Sequence, residues 1–383
     1  MRIMHVTYSM SASRGGPPVV VARLAATQAA MGNDVSVVSC FAPPHGAGAA
    51  LLKGLPGGNA VSLLDFDPSD PLCLSISGLD GRAPAMPDVV HLHEFWIPRL
   101  WKAASAARRH RIPYVLSPHG TIGPRHLADK RLKKRIGMIL GGRRLISGAR
   151  FVQAFTATEA SEIAGIVGNV PIEVIPNGIV AEEFASLPPA EEFTQRVPGL
   201  SGKPYLLFLA RLSPTKGIDL LIESFIAVSH HHPSLQLVVA GPDYGAKQGL
   251  VDRAREAGVE ARVHVVGSIS GSVKLAAFRG AVATCLVSRF EGFSMTLLES
   301  LACGTPVIAS DMCNFPEIET SGVGLVVPCD AAAAARAIER ILSESREREA
   351  MAARARPYVN ANFTMSEVAV RMMGAYRRGM SPR

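Results

Sequence analysis

Glu291 and Glu299, separated by seven residues, open a segment from Ser288 to Asp311 that reads loop, helix, strand. The turn Glu291-Gly292-Phe293 leads into a helix expected from Ser294 to Ala302. A Gly304-Thr305-Pro306 stop then precedes a buried strand, Pro306 to Ala309. A helix N-terminus presents unpaired N–H groups and a partial positive charge, so the amides of Phe293, Ser294 and Met295 suit a phosphate. Carboxylates beside such a site repel the anion unless they take hydroxyl donors, which a sugar ring and a ribose offer. The plain alternative is a solvated loop-helix unit in which Glu299 merely favours the first half of its helix. Arg211 and Lys216 flank a second turn, ahead of a helix from Ile218. A planar guanidinium and a point-charge ammonium placed there make a clamp for a diphosphate.

These groups need elements to hold them. At 383 residues and 48% hydrophobic content, the chain can bury two cores. Strands expected at Ile3–Thr7, Asp34–Ser39, Val89–His93 and Tyr114–Ser117 alternate with helices, and the alternation restarts at Tyr205–Leu209. This is the pattern of α/β, doubly wound parallel sheets, whose ligand edge lies beyond the strand C-termini. Gly15-Gly16-Pro17-Pro18, with Arg14 before it, forms the first such loop and lets backbone approach a ligand closely. It is not the G-x-G-x-x-G of a dinucleotide site, which argues against a dehydrogenase. His93, Glu94 and His119 gather at the same edge. No apolar run is long enough for a membrane span, and the first residues enter a strand pattern without the features of a signal peptide. Six cysteines without C-x-x-C spacing read as reduced core thiols of a cytoplasmic protein.

The segment E-G-F-S-x-x-x-L-E-x-x-A-C-G-x-P-V-I-A-S resembles the signature of retaining nucleotide-sugar glycosyltransferases of family 4, the group 1 glycosyltransferases. The resemblance extends through VVHLHEFW…IPYVLSPHG and Arg-x-x-x-x-Lys. It implies the GT-B fold, two Rossmann-like domains facing across a cleft. Residues 1–180 would form the acceptor-side domain, 181–200 a linker and 201–360 the nucleotide-sugar domain, with 361–383 carrying a helix that crosses back. It implies that Glu299 binds the donor ribose and Glu291 contacts the donor sugar, with Phe293, Ser294 and Met295 near sugar or phosphate. Arg211 and Lys216 would hold the pyrophosphate, Gly15 and Gly16 would lie beside it, and the loop with Ile269 would rest against the base. His119 would reach the transferred sugar, where a neutral imidazole could donate to a hydroxyl. The expected reaction is retaining, metal-independent transfer of a hexosyl group to a glycan or lipid-linked glycan in cell-surface polysaccharide synthesis. No cofactor is expected beyond the donor itself, a UDP or GDP sugar. The chain departs from the family at Ser294, where glycine is common, at Val287-Ser288, where proline-serine is usual, and at Val180, where aspartate is frequent.

Other readings compete. Asp65-Phe66-Asp67 could hold a divalent metal, but it sits in turn-like sequence beside Pro68 and Pro71. His91 and His93 share a strand face and could be ligands, although a satisfied core pair needs less. Between Lys130 and Arg150 there are eight basic residues and no acids, with Ile136, Met138, Ile139 and Leu140 interleaved. This segment is either a solvated face or a contact with an anionic membrane at the inner face of the cytoplasmic membrane. Nucleic acid is not expected, since no aromatics accompany the run. The net charge of +8 also leaves room for a non-catalytic polyanion-binding protein. Within the fold, a sugar phosphorylase or nucleotide-sugar epimerase is the rival, and a glycoside hydrolase could use Glu291 and Glu299 as its two carboxylates.

Overall fold

The computed structural model describes residues 1–11, 15–42, 44, 46–73, 86–128 and 131–380. Arg14 and Lys130, both named above, lie outside the described residues, as does much of the irregular stretch 41–87. The chain forms two compact units, Met1–Val180 with Phe363–Arg383, and Ala181–Asn362.

In the first unit the strands are β1 Arg2–Thr7, β2 Asp34–Ser39, β3 Val61–Asp65, β4 Val89–His93, β5 Tyr114–Ser117, β6 Val152–Ala154 and β7 Ile172–Val174. They pair in the order β3-β2-β1-β4-β5-β6-β7, all parallel. β4 and β5 are buried along their whole length, as expected of parallel strands covered by helices on both faces. One apolar layer, including Leu92, Leu100 and Leu116, covers one face. The other, including Val21, Val37 and Met372, covers the opposite face. Each fully buried Leu, Val or Met contributes about 1.5–3 kcal/mol, so these layers are what make the loop positions reproducible.

The helix Met365–Met380 belongs to this second layer through Met365, Val368, Met372 and Tyr376. It is stitched on by a parallel bridge between Ile179 and Thr364. Val180, where the resembled family has aspartate, is 4% exposed and part of the same layer.

The second unit contains β8 Tyr205–Leu209, β9 Gln236–Ala240, β10 Val263–Gly267, β11 Ala283–Leu286, β12 Val307–Ser310 and β13 Gly324–Val327. The order is β10-β9-β8-β11-β12-β13, again parallel throughout. In each sheet the order reverses beside the first strand of the unit: at β1/β4 in one, at β8/β11 in the other. Loops leaving the carboxyl ends of strands at such a reversal diverge and open a crevice.

Residues 181–200 differ from the expected linker. A 3-10 turn Ala181–Phe184 and a short helix Glu191–Thr194 bury Phe184, Phe193, Val197 and Leu200. Arg279 donates to the carbonyls of Leu187 and Pro188 at 2.9 and 3.0 Å. Four apolar anchors make the stretch part of the second unit.

Candidate functional site

The loops after β8 and β11 are locked together by backbone contacts before any charged side chain is considered. Gly217 has φ +64°, and a Cβ there would lie 1.8 Å from the Val287 carbonyl oxygen. Only glycine lets the two loops approach this closely. The Arg289 amide donates to the Thr215 carbonyl at 2.9 Å, and its guanidinium reaches Pro214 O at 2.7 Å. Two further bonds, 2.7 and 2.6 Å, join that guanidinium to both oxygens of Asp219. Arg289 and Asp219 were not singled out in the sequence, because an exposed Arg and Asp far apart in the chain carry no motif.

On this frame, Lys216 Nζ lies 2.5 Å from Glu291 Oε1, with both side chains largely buried. The Ser288 hydroxyl donates to the same oxygen at 2.9 Å. Ser288 is itself held by Ser310, whose hydroxyl donates to its carbonyl at 2.5 Å. Asn314 Nδ2 donates to the Glu291 carbonyl at 2.9 Å, which fixes the turn from the far side. The expected pyrophosphate lysine and the expected sugar-contacting carboxylate therefore meet directly, a pairing that spacing could not show. Arg211 is exposed, its guanidinium 5.4 Å from the Tyr244 ring centroid. It has no carboxylate partner among the described residues and is available to an anion.

The helix runs Met295–Ala302 and is capped by Ser294, whose side chain accepts from the Leu297 N–H at 3.4 Å. The departure from glycine thus supplies a cap, while the helix geometry leaves the N–H groups of Met295 and Thr296 without intrahelical acceptors. Thr296 Oγ1 donates to the Leu209 carbonyl at the end of β8, at 2.8 Å, so the helix start is tied to the β8 loop. Phe293 packs its ring 5.3 Å from that of Phe315. Glu299 is 5% exposed and bonded through Oε2 to Lys274 Nζ at 2.9 Å. Lys274 was missed in the sequence because a lone lysine on a helix usually points to solvent and carries no motif. Ile269 lines a pocket of 730 Å³ together with Phe193, Val197, Ser268 and Val273.

The first unit carries its own cluster. Gly15, with φ +96°, precedes the helix Gly16–Ala30, so the glycine pair forms the turn itself. Glu94 and His119, at the ends of β4 and β5, both hold left-handed backbone, φ +75° and +52°. Such conformations in non-glycine residues cost energy and concentrate at functional sites. The Glu94 carboxylate accepts from the Tyr8 N–H at 2.7 Å, and burial pushes its pKa up to about 7. His119 is half-buried, its Nε2 3.1 Å from His93 Nδ1, and burial lowers its pKa to about 4.

The metal readings fare differently. Ring nitrogens of His5, His91 and His93 lie within 4.8 Å of one another. Yet both nitrogens of each ring are already hydrogen-bonded, to Gln28, Tyr376, Ser117, His119 or each other. Saturated donors fit a satisfied core cluster and not a ligand set. Asp67 turns back on Ser69, accepting from its N–H at 2.7 Å and its hydroxyl at 2.6 Å. Asp67 is therefore engaged in turn chemistry, while Asp65 closes β3.

Residues 190–357 match the family model described as "Glycosyl transferases group 1", and residues 15–178 match "Glycosyl transferase 4-like domain". Among curated proteins, the chain is 29% identical over 316 residues to D-inositol 3-phosphate glycosyltransferase of Frankia alni, covering 79% of this chain and 77% of that one. It is 28% identical over 297 residues to glycogen synthase of Mycobacterium tuberculosis, covering 76% and 68%. Among solved structures, Anabaena HepE in complex with UDP superposes with TM-score 0.77 at 19% identity, over 99% of this chain and all 100% of that one. WaaG, a glycosyltransferase involved in lipopolysaccharide biosynthesis, gives 0.70 at 17% identity, over 98% of each chain. These likenesses show the GT-B fold.

Proposed function

The chain belongs to the group 1 glycosyltransferases, and we propose that it moves a hexosyl group from a nucleoside-diphosphate sugar to a hydroxyl of a glycan or lipid-linked glycan, with retention at the anomeric carbon. The observation that carries this reading is the Lys216–Glu291 pair beside the helix holding Glu299, at the β8/β11 edge. Arg211, Lys216 and the amides of Met295 and Thr296 supply the positive charge that a departing diphosphate needs, so no metal is required. Glu299, steadied by Lys274, accepts from the ribose hydroxyls, and Glu291 accepts from the sugar. The pocket at Ile269 takes the base. Neither Glu291 nor Glu299 is free to act as a nucleophile, which favours same-face attack with the leaving phosphate taking the proton. The same fact disfavours a hydrolase: Glu291 and Glu299 are each committed to a lysine and not to a shared glycosidic bond.

A thermal-shift screen against UDP, GDP, ADP and their glucose and mannose conjugates tests the donor site. A ligand that binds only the folded state raises stability by RT ln(1 + [L]/Kd), or about 2.7 kcal/mol at a hundredfold excess over Kd. One nucleotide series is expected to raise Tm, with the shift abolished in Glu299→Ala and reduced in Lys274→Met. Indifference to all three nucleotides would remove the donor site.

A lipid-linked acceptor and a place in cell-surface glycan synthesis are supported by the segment 131–147. There Leu132, Ile136, Ile139 and Leu140 are 74%, 48%, 68% and 76% exposed, among Arg131, Lys133, Arg135, Arg143 and Arg144. Met138, in contrast to the sequence reading, packs against the core, as do the buried Leu145 and Ile146. No helix among the described residues is long and apolar enough to cross a membrane. An apolar ridge flanked by cations suits peripheral attachment to an anionic leaflet, the inner face of the cytoplasmic membrane. Vesicles containing anionic phospholipid are expected to sediment the protein at low salt. Leu132→Ser/Ile139→Ser/Leu140→Ser should stay in the supernatant; equal sedimentation of both proteins would exclude this face.

A further inference from the structure

Arg211 follows β8 and is exposed, with no carboxylate partner among the described residues. A long side chain in that setting samples many rotamers, and a ligand that must immobilise it loses about two- to tenfold in affinity. What lies against it in place of an acid is the ring of Tyr244, with the guanidinium carbon over the ring and 5.4 Å from its centroid. Tyr244 is 52% exposed, the most exposed of the six tyrosines, so no core accounts for where its ring stands.

The backbone on both sides of this pair is fixed. The Ala210 N–H donates to the Ala240 carbonyl at 3.0 Å, and the Leu212 N–H to that of Pro242 at 2.9 Å. In return the Tyr244 N–H donates to the Leu212 carbonyl at 2.9 Å. Leu212 and Asp243 thereby form a parallel bridge that continues the β8/β9 ladder past the strand ends, with the Leu212 side chain fully buried beneath it. Beyond Tyr244 the chain is tied again. Asp243 Oδ1 accepts from the N–H groups of Gly245, Ala246 and Lys247 at 2.9, 3.1 and 3.1 Å, where the helix Lys247–Glu256 begins.

A ring holds a cation differently from an acid. It attracts the guanidinium through its quadrupole, with no charge to cancel and no lone pair to occupy the fork of N–H donors. Lys216 shows the other arrangement, its ammonium 2.5 Å from the Glu291 carboxylate. Of the two clamp cations, Arg211 therefore keeps its whole charge and its donors for a ligand.

We propose that Tyr244 is a positioning residue for the donor site: its ring orders the Arg211 guanidinium before the nucleotide arrives and keeps it ordered while the diphosphate is bound. The pairing stands on the contacts of the β8 and β9 loops, whereas its effect on the diphosphate rests on the function proposed above. In the free protein the attraction and the lost rotamer freedom offset one another, so stability changes little and the gain appears on binding.

Two measurements on the full chain test this. In arginine side-chain NMR, the ring of Tyr244 is expected to displace the Arg211 Nε–H and Hδ signals. The displacement should vanish in Tyr244→Leu and persist when nucleotide is added. Calorimetric titration with UDP, GDP and ADP then reads the consequence. For whichever of them the wild type binds, Tyr244→Leu should weaken affinity about two- to tenfold. Tyr244→Phe, which keeps the ring, should bind as the wild type does. In an Arg211→Ala background, Tyr244→Leu should change nothing further.

Wild-type affinity in Tyr244→Leu would overturn the inference. So would a loss that persists in the Arg211→Ala background, since Tyr244 would then touch the nucleotide itself. Failure of the underlying reading looks different: Arg211→Ala would bind nucleotide as the wild type does while the displaced Arg211 signals still reported the pair. Indifference of the wild type to all three nucleotides would remove the donor site and this role for Tyr244 together.

Discussion

Lys216→Ala is expected to lower sugar transfer by about 10²–10³-fold, the cost of removing one preorganised charge that faces a leaving group. It should also unfold at lower denaturant than the wild type. Lys216 is the cation beside Glu291, whose carboxylate is almost fully buried and, among the described residues, is otherwise hydrogen-bonded by the Ser288 hydroxyl. Stranding a buried carboxylate costs about 3–5 kcal/mol where no water can replace the partner. Arg211→Ala makes the contrast. Its side chain is exposed and without a carboxylate partner among the described residues, so stability should stay within about 0.5 kcal/mol while transfer falls. The double replacement Lys216→Ala/Glu291→Gln removes both charges and should recover most of the stability without restoring activity. Steady-state kinetics and urea melts on the four proteins decide the matter. If Lys216→Ala and Arg211→Ala both turned over donor near the wild-type rate, the diphosphate clamp would be wrong.

Gly217→Ala carries the second large effect. Two penalties combine: left-handed backbone at φ +64°, and a Cβ placed 1.8 Å from the Val287 carbonyl oxygen. The first costs about 1–2 kcal/mol in any L-residue. The second can be relieved only by moving the β11 loop away from the β8 loop, which parts Lys216 from Glu291. A loss of more than about 3 kcal/mol is expected, together with loss of donor binding. Gly202→Ala is the control, because Gly202 shares a left-handed φ of +72° but a Cβ there meets nothing within 4 Å. It should cost only the conformational part and leave activity intact. Equal destabilisation in the two variants would mean that the loops are not held by close approach.

Both effects arise from contacts between segments far apart in the chain, which separates what could be read from the sequence from what could not. The strand runs at Asp34–Ser39, Val89–His93, Tyr114–Ser117 and Tyr205–Leu209 were legible to the residue. Parallel strands buried on both faces are written as short apolar runs between turn residues, and that information is local. The doubly wound class was legible for the same reason. So was the candidate helix after Glu291, because its cap, its apolar face and its glycine stop are all neighbours in sequence.

The stretch 181–200 was misread because proline content is visible in sequence, whereas the burial of Phe184 and Phe193 depends on surfaces made elsewhere. Partnerships were invisible for the same reason. Nothing in the spacing of Lys216 and Glu291, Lys274 and Glu299, or Arg289 and Asp219 announces that they touch. The two histidines of β4 were legible as a buried pair on one strand face. That they stack 3.9 Å apart, with His91 bonded to Ser117 and Tyr376 and His93 to His5 and His119, required strands β1, β4 and β5 and the C-terminal helix to be brought side by side. Sequence alone determined which residue types could meet a sugar and a diphosphate and which elements would carry them. Tertiary structure decided which charges neutralise one another and which buried histidines share their hydrogen bonds, because burial and hydrogen bonding belong to groups that only folding makes neighbours.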